Sequence, residues 1–410
     1  MNMEKYFSEK QESLKKVYQA FRKTPYGRKL DLPKWSVNSY SDFKALPIID
    51  PKEVDFNDLL IPANNLWKFK TSGVSGHIKT VYRDIGTIVG YPKEMDETLR
   101  NNKTVFLHSK RREGESYYET HDFNHKRMYP NGIFAEYETR EQLLEYVQKG
   151  NVLFIIEYPL MAQWICYQLE KAIENKEVSL EKLTKEKVYL ELSGEPVTSE
   201  QVNDIVKRMK KIFQCDVEYF VTYGANEIGH IGTYVPALHG SEIIYEVIPS
   251  LFIEEIDGEL IITPFRTKGT ILFRYKIGDK GQLVFRNGTP FVKVFGESQK
   301  DTLYIAGAQV DIQSLVGYIK RTTDHYVGLV LQKNEHPKKG RYTLNINVHT
   351  FHDLNDDVKN KISALIKNFI MDSASLYVEN RLGIVEIVVR YSNKPIKKQW
   401  VIQNGGDVDE

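Results

Sequence analysis

Val152-Leu153-Phe154-Ile155-Ile156-Glu157-Tyr158-Pro159 is the stretch on which the fold turns. The run of apolar residues suits a strand covered on both faces, and the proline that closes it fits the first turn of a helix. A strand feeding straight into a helix is half of a strand–helix–strand unit, and the flanking sequence repeats the pattern. Upstream, Ile133–Tyr137 reads as a short strand, Thr139 and Gln142 as a capping box, and the helix behind them stops at Gly150. Downstream, 188–192 is the next strand, Thr198 with Gln201 caps a further helix, and 217–222 is the strand that follows. The alternation predicts an α/β fold with a parallel sheet.

After Tyr234 the pattern changes to short β-like runs at 259–263, 270–275, 282–285 and 291–295, which predict a β-rich subdomain. Residues 303–410 read strand, helix, strand, strand, helix, strand, with a polar break at 334–341 suited to a hairpin. That is a small α+β domain. The expected division is 1–298 for a large N-terminal domain and 299–410 for a small C-terminal one, with the break near 299–301. A chain of 410 residues with 41% hydrophobic content is long enough for two such cores.

Lys and Arg number 56 against 55 Asp and Glu, so no global field favours nucleic acid or an anionic membrane. Residues 1–16 are polar, and no stretch approaches the roughly 20 apolar residues of a membrane span, which predicts a cytoplasmic protein. The two cysteines, Cys166 and Cys215, read as reduced core residues.

The chemistry starts at Thr71-Ser72-Gly73-Val74-Ser75-Gly76-His77-Ile78-Lys79, entered by a strand around 67–70 and left by another at 80–82. Glycines let backbone N–H groups approach phosphate oxygens, hydroxyls add donors and the lysine adds charge. A Walker loop needs four residues between its glycines and a helix behind it; here two separate them and a strand follows. In a parallel sheet ligands collect beyond the carboxyl ends of the strands, where Ser193-Gly194-Glu195-Pro196 and Tyr223-Gly224-Ala225-Asn226-Glu227 fall. Tyr223 offers a flat face for an adenine, Glu227 a carboxylate for magnesium shared with phosphate, and Asp279 an acceptor for a ribose diol. His121, Asp122, His125 and His239 are scattered and predict no metal site beyond magnesium carried by ATP.

These blocks, in order from about 71 to 398, resemble the adenylate-forming ligases, the acyl/aryl-CoA synthetase or AMP-binding superfamily, and within it the phenylacetate–coenzyme A ligase branch. The loop holding Thr71, Ser72, Gly73, Ser75, Gly76 and Lys79 is similar to the family's phosphate loop, and Ser193, Gly194, Glu195 and Pro196 to its adenine-contacting turn. The block 219–229 is similar to its Tyr-Gly-x-Thr-Glu motif, with Tyr223, Gly224 and Glu227 at the matching positions. Gly258-Glu259-Leu260 with Arg274-Tyr275-Lys276-Ile277-Gly278-Asp279 is similar to its ribose-binding segment. The terminal Ser392-Asn393-Lys394 resembles its Ser/Thr-Gly-Lys motif and makes Lys394 the candidate catalytic lysine, with Lys397 and Lys398 as alternatives.

The resemblance implies an adenylate-forming ligase fold with a mobile C-terminal lid, ATP and magnesium as cofactors, and an acyl-adenylate intermediate. It also implies an aromatic carboxylic acid as substrate, and a thiol acceptor that is either coenzyme A or a carrier-protein phosphopantetheine. A chain this short also resembles the dihydroxybenzoate-activating ligases of siderophore biosynthesis. Tyr158, Gly229 and His230 are the candidate acid-pocket residues; His230 either bonds a phenol or carboxylate or is a satisfied buried histidine. The chain departs from the family at Val74, Ile78 and Asn226, which replace threonine, proline and threonine, and at Gly296-Glu297, where a Gly-Arg pair is usual. The loop is therefore expected to hold phosphate weakly, and the alternative is a binding protein that has lost catalysis.

Overall fold

The computed structural model describes residues 2–70, 80–84, 91–110, 116–194, 197–240, 242–297, 302–305, 308–322, 326–350, 353–371, 379, 381–392 and 400–404. Five strands form the parallel half of one large sheet: β1 (Thr104–Ser109), β2 (Ile133–Tyr137), β3 (Val152–Glu157), β4 (Lys187–Leu192) and β5 (Val217–Ala225). β3 is buried at every position because both its faces are covered. Leu153 and Ile155 join one core, Val152, Phe154 and Ile156 another, as the two-residue period of a strand requires.

The connecting helices begin where their caps predict. Thr139 accepts from the Gln142 amide at 3.2 Å at the start of a helix over Arg140–Val147, and Thr198 accepts from the Gln201 amide at 3.1 Å before one over Ser199–Phe213. Tyr158 is the N-cap of the helix Pro159–Glu174, with the proline in its first turn.

The antiparallel half continues the same hydrogen-bonded sheet. It comprises β6 (Gly229–Tyr234), β7 (Tyr245–Val247), β8 (Leu251–Ile256), β9 (Glu259–Pro264), β10 (Tyr275–Arg286) and β11 (Thr289–Glu297). The strand order is β8-β9-β10-β11-β7-β6-β5-β4-β3-β1-β2. The β-rich region is thus joined to the parallel half through the β5/β6 hairpin. One expected run is corrected: of 270–275, Thr270 ends the short strand Gly269–Thr270, paired with Leu60–Ile61, and Tyr275 opens β10. Residues 271–274 between them are not strand, and Arg274 takes a left-handed φ of 46°, which a continuing strand does not tolerate.

A second sheet has four strands, β12 (Tyr326–His336), β13 (Arg341–Thr350), β14 (Val385–Ser392) and β15 (Trp400–Asn404), in the order β14-β13-β12-β15. Helices over Ile312–Thr322 and Asp356–Met371 accompany it. The polar break forms the expected hairpin, with His336 opposite Arg341. Its tip sits on the helix Pro159–Glu174: a Cβ on Gly340 (φ +59°) would lie 2.2 Å from the Trp164 amide nitrogen, so only glycine fits. Two further contacts tie the sheets together, Arg208 donating to the Lys338 carbonyl at 3.3 Å and Arg381 pairing with Glu138 at 2.7 Å. Among the described residues no helix is long and apolar enough to cross a membrane.

Candidate functional site

The site lies at the carboxyl edge of the parallel strands. Glu157 pairs with Leu192, and Leu192 with Val221, so Tyr158 and the Ser193-Gly194 turn leave the sheet beside Tyr223, where β5 runs on past β4 and stays paired with β6. The Ser193 amide donates to the Glu157 carbonyl at 3.1 Å, and Gly194 (φ +81°) packs beside Tyr158. Just beneath, the buried Glu157 carboxylate accepts from the Ser109 amide and hydroxyl and, at 2.9 Å, from the Tyr137 hydroxyl. The ends of these strands are thereby cross-linked.

Tyr223 donates its hydroxyl to the Asp279 carboxylate. Three strands separate β5 from β10 in the sheet order, which in a flat sheet would put them about 19 Å apart. A tyrosine cannot span that, so the sheet must curl strongly to bring them face to face. A second rung lies beside the first: the Tyr275 hydroxyl donates to Glu227 at 3.0 Å. The two rungs use residues four apart on each side. Tyr245 lies against the Tyr223 ring at 5.4 Å between centroids.

Burial, opposed by the Tyr223 bond and reinforced by the Glu227 charge, pushes Asp279 up to about 6. It remains largely ionised at neutral pH, and its one described partner is a neutral phenol. Glu227 lies at the tip of the β5/β6 hairpin, half-exposed, with Tyr275 on one carboxylate oxygen. Among the described residues no three metal-ligating side chains converge.

His230 bonds Thr233 at 2.8 Å, and burial pushes it down to about 4, so its ring is neutral at physiological pH. Gly224 and Gly229 flank the hairpin tip, Gly229 with φ +89°. Of the scattered polar residues, His125 bonds Tyr91 at 2.7 Å and His239 pairs with Glu246 at 3.1 Å.

Arg274 does not join the site, which corrects its assignment to the nucleotide. It is fully buried, its Nε and one terminal nitrogen bond both oxygens of Glu254 at 3.0 and 3.1 Å, and its other terminal nitrogen bonds the carbonyls of Lys44 (2.9 Å) and Leu46. A guanidinium so engaged, with no exposed surface, cannot reach a ligand. Thr71, Ser72, Gly73, Ser75, Gly76, Lys79, Glu195, Pro196 and Lys394 lie outside the described residues, as do Lys397, Lys398 and the expected hinge at 299–301. The ends of the 71–79 loop are fixed: Lys70 and Thr80 are partners in the antiparallel pair Trp67–Lys70 and Thr80–Arg83.

Two arginines that the sequence did not single out meet at the Glu227 turn. Arg83 donates to the Asn226 carbonyl at 3.3 Å, while Arg266 donates to the carbonyls of Glu227 (3.1 Å) and Ile228.

No protein-family model and no curated protein matches this sequence. Solved structures do. A 2-hydroxyisobutyryl-CoA ligase, in complex with 2-HIB-AMP and CoA in its thioesterification state, superposes with a TM-score of 0.62 at 12% identity, covering 98% of this chain and 91% of that one. The chain has the adenylate-forming ligase fold. An amide bond synthetase from Marinactinospora thermotolerans shares this fold with a TM-score of 0.52 at 14% identity, over 80% of this chain and 66% of that one. So does a malonyl-CoA ligase with methylmalonyl-CoA and AMP bound, with a TM-score of 0.50 at 10% identity, over 80% and 71%. At these identities the likeness is one of fold.

Proposed function

We propose that this chain activates a carboxylic acid with ATP, forming an acyl-adenylate and pyrophosphate, and then transfers the acyl group to a thiol. The observation that carries the reading is the Tyr223–Asp279 pair: a flat ring and a half-buried carboxylate from distant parts of the chain, side by side near the carboxyl ends of the parallel strands. In this reading adenine lies along Tyr223 beside the Ser193-Gly194 turn, and the ribose hydroxyls donate to Asp279. Glu227 is a ligand for the magnesium that travels with the phosphates, an ion that supplies Lewis-acid charge when bound. Thr71 to Lys79 wrap the phosphates, and Lys394 bridges the carboxylate and the α-phosphate, stabilising charge as the new bond forms.

The finer parts rest on the resemblance. Residues 1–298 bind ATP and acid, and 299–410 act as a lid that reorients between the two half-reactions. The acid is aromatic, of the arylacetic or hydroxybenzoic type, and meets Tyr158, Gly229 and His230. The acceptor is coenzyme A or a carrier-protein phosphopantetheine, and the ligase with CoA bound among the structural neighbours favours the former.

The test is pyrophosphate release with a panel of aliphatic and aromatic acids, followed by addition of each thiol. Wild type is expected to form a burst of acyl-adenylate with its acid, and Lys394→Ala to lose it. ATP binding with no pyrophosphate from any acid would leave a nucleotide-binding protein in place of the enzyme.

A further inference from the structure

The tip of the β5/β6 hairpin is held by more bonds than a surface turn needs. Its three consecutive carbonyls, of Asn226, Glu227 and Ile228, all accept from guanidinium groups, the first from Arg83 and the other two from Arg266. Arg83 is buried, stacks on Phe69 at 4.1 Å, and comes so close to Gly229 that a Cβ there would lie 3.4 Å from its guanidinium carbon. Arg266 reaches the turn from the segment after β9. Bringing two cations together against backbone carbonyls costs electrostatic energy, which the nearby Asp84 and Glu227 carboxylates offset only in part. A hairpin tip in water needs no such support. From the side chain's end, Tyr275, itself buried, bonds the Glu227 carboxylate.

We infer that Arg83, Arg266 and Tyr275 are positioning residues that fix the Glu227 carboxylate in the orientation in which it meets the magnesium–phosphate complex. The inference rests on the role proposed above for Glu227. The two arginines hold the backbone on either side of the residue and the phenol holds its carboxyl group, so both ends of the side chain are fixed before the ion arrives. The arginines act through the turn: Arg83 bonds the Asn226 carbonyl and the adjoining Asp84 carbonyl, and Arg266 the carbonyls of Glu227 and Ile228. Lysine cannot replace Arg266 here, since a single ammonium on a flexible stem does not reproduce the planar fork that spans two adjacent carbonyls.

The experiment is calorimetric titration of the full chain with ATP in the presence of magnesium and again with a chelator, for wild type, Glu227→Gln, Arg266→Lys, Tyr275→Phe and the double variant Arg266→Lys/Glu227→Gln. The quantity read is the gain in ATP affinity that magnesium gives. Arg266→Lys is expected to reduce that gain by roughly 10- to 100-fold while binding of metal-free ATP stays near wild type. The double variant is expected to be no worse than Glu227→Gln alone, because the arginine works through the glutamate. Tyr275→Phe preserves the ring's packing and so tests the same point should Arg266→Lys fold poorly; it is expected to reduce the magnesium gain too. Equal weakening with and without magnesium, or additive losses in the double variant, overturns the inference and makes Arg266 a phosphate ligand or a general support. If Glu227→Gln leaves the magnesium gain untouched, the role of Glu227 fails first, and the positioning role falls with it.

Discussion

Glu254 on β8 and Asp279 on β10 are two carboxylates that the same sheet takes out of water, and their partners differ in kind. Glu254 is fully buried; burial pushes its pKa up, and Arg274, bonded to both of its oxygens, pulls it down. Asp279 is half-buried, raised to about 6, and faces a phenol. In the core a charge is matched by a charge, and the matched pair closes the structure around it. At the sheet's edge a carboxylate is left with a neutral partner, which keeps acceptor capacity for a ligand's hydroxyls. Only four residues separate Arg274 from Asp279, so a segment that reads as one motif divides into an architectural half and, under the proposed function, a ligand-facing half.

The sharpest way to break this comparison is Arg274→Ala. It strands Glu254 in a dry site and releases the carbonyls of Lys44 and Leu46, so a loss of about 3–5 kcal/mol in denaturant-monitored stability is expected. Replacing both partners, as Glu254→Met/Arg274→Met, removes the stranded charge and should recover most of that loss. A single variant that costs less than about 1 kcal/mol would mean the pair is not what anchors the 44–46 segment to β8.

Asp279→Asn should act oppositely, leaving the fold and weakening the nucleotide. ATP affinity is expected to fall by about 10- to 100-fold, the worth of a hydrogen bond to a charged group, with little change in the melting temperature. The pH dependence follows from the raised value. Wild-type ATP binding should be full above about 6 and weaken as pH falls through about 6, when Asp279 takes up a proton; the asparagine variant should lack that step. For stability the sign is reversed. A folded-state value above the unfolded 3.8 means the native state holds more protons between them, so this group's contribution to stability declines as pH rises through that window. Denaturation curves at several pH values, compared with the variant, isolate it.

The architectural half of the comparison is where sequence reading fell short. Strands such as Val152–Glu157 and caps such as Thr139 and Thr198 were legible because their signals are local: an apolar run, or a hydroxyl three residues before its amide. Arg274 was not, because its fate depends on Glu254, 20 residues away, and on carbonyls about 230 residues away. Arg83 and Arg266 left no trace for a different reason. Their described partners are backbone carbonyls, which every residue carries, so nothing in the sequence marks the place where they converge. Glu227 and Asp279 were legible as carboxylates on polar turns, but that Tyr223 and Tyr275 would bond them depends on the curl of an eleven-stranded sheet.

Tyr223→Phe makes the smallest change and tests the comparison at its centre. The ring remains, so a stacked adenine keeps its surface, and only the hydroxyl that faces Asp279 is lost. That bond lowers the Asp279 pKa against the effect of burial, so without it the value must rise. The midpoint of the pH dependence of ATP binding should therefore move above about 6, by less than about one pH unit, while affinity well above the midpoint changes little. Should the midpoint stay where it is in wild type, the phenol does not hold the carboxylate in solution, and the neutral partner that distinguishes Asp279 from Glu254 would have to be sought elsewhere.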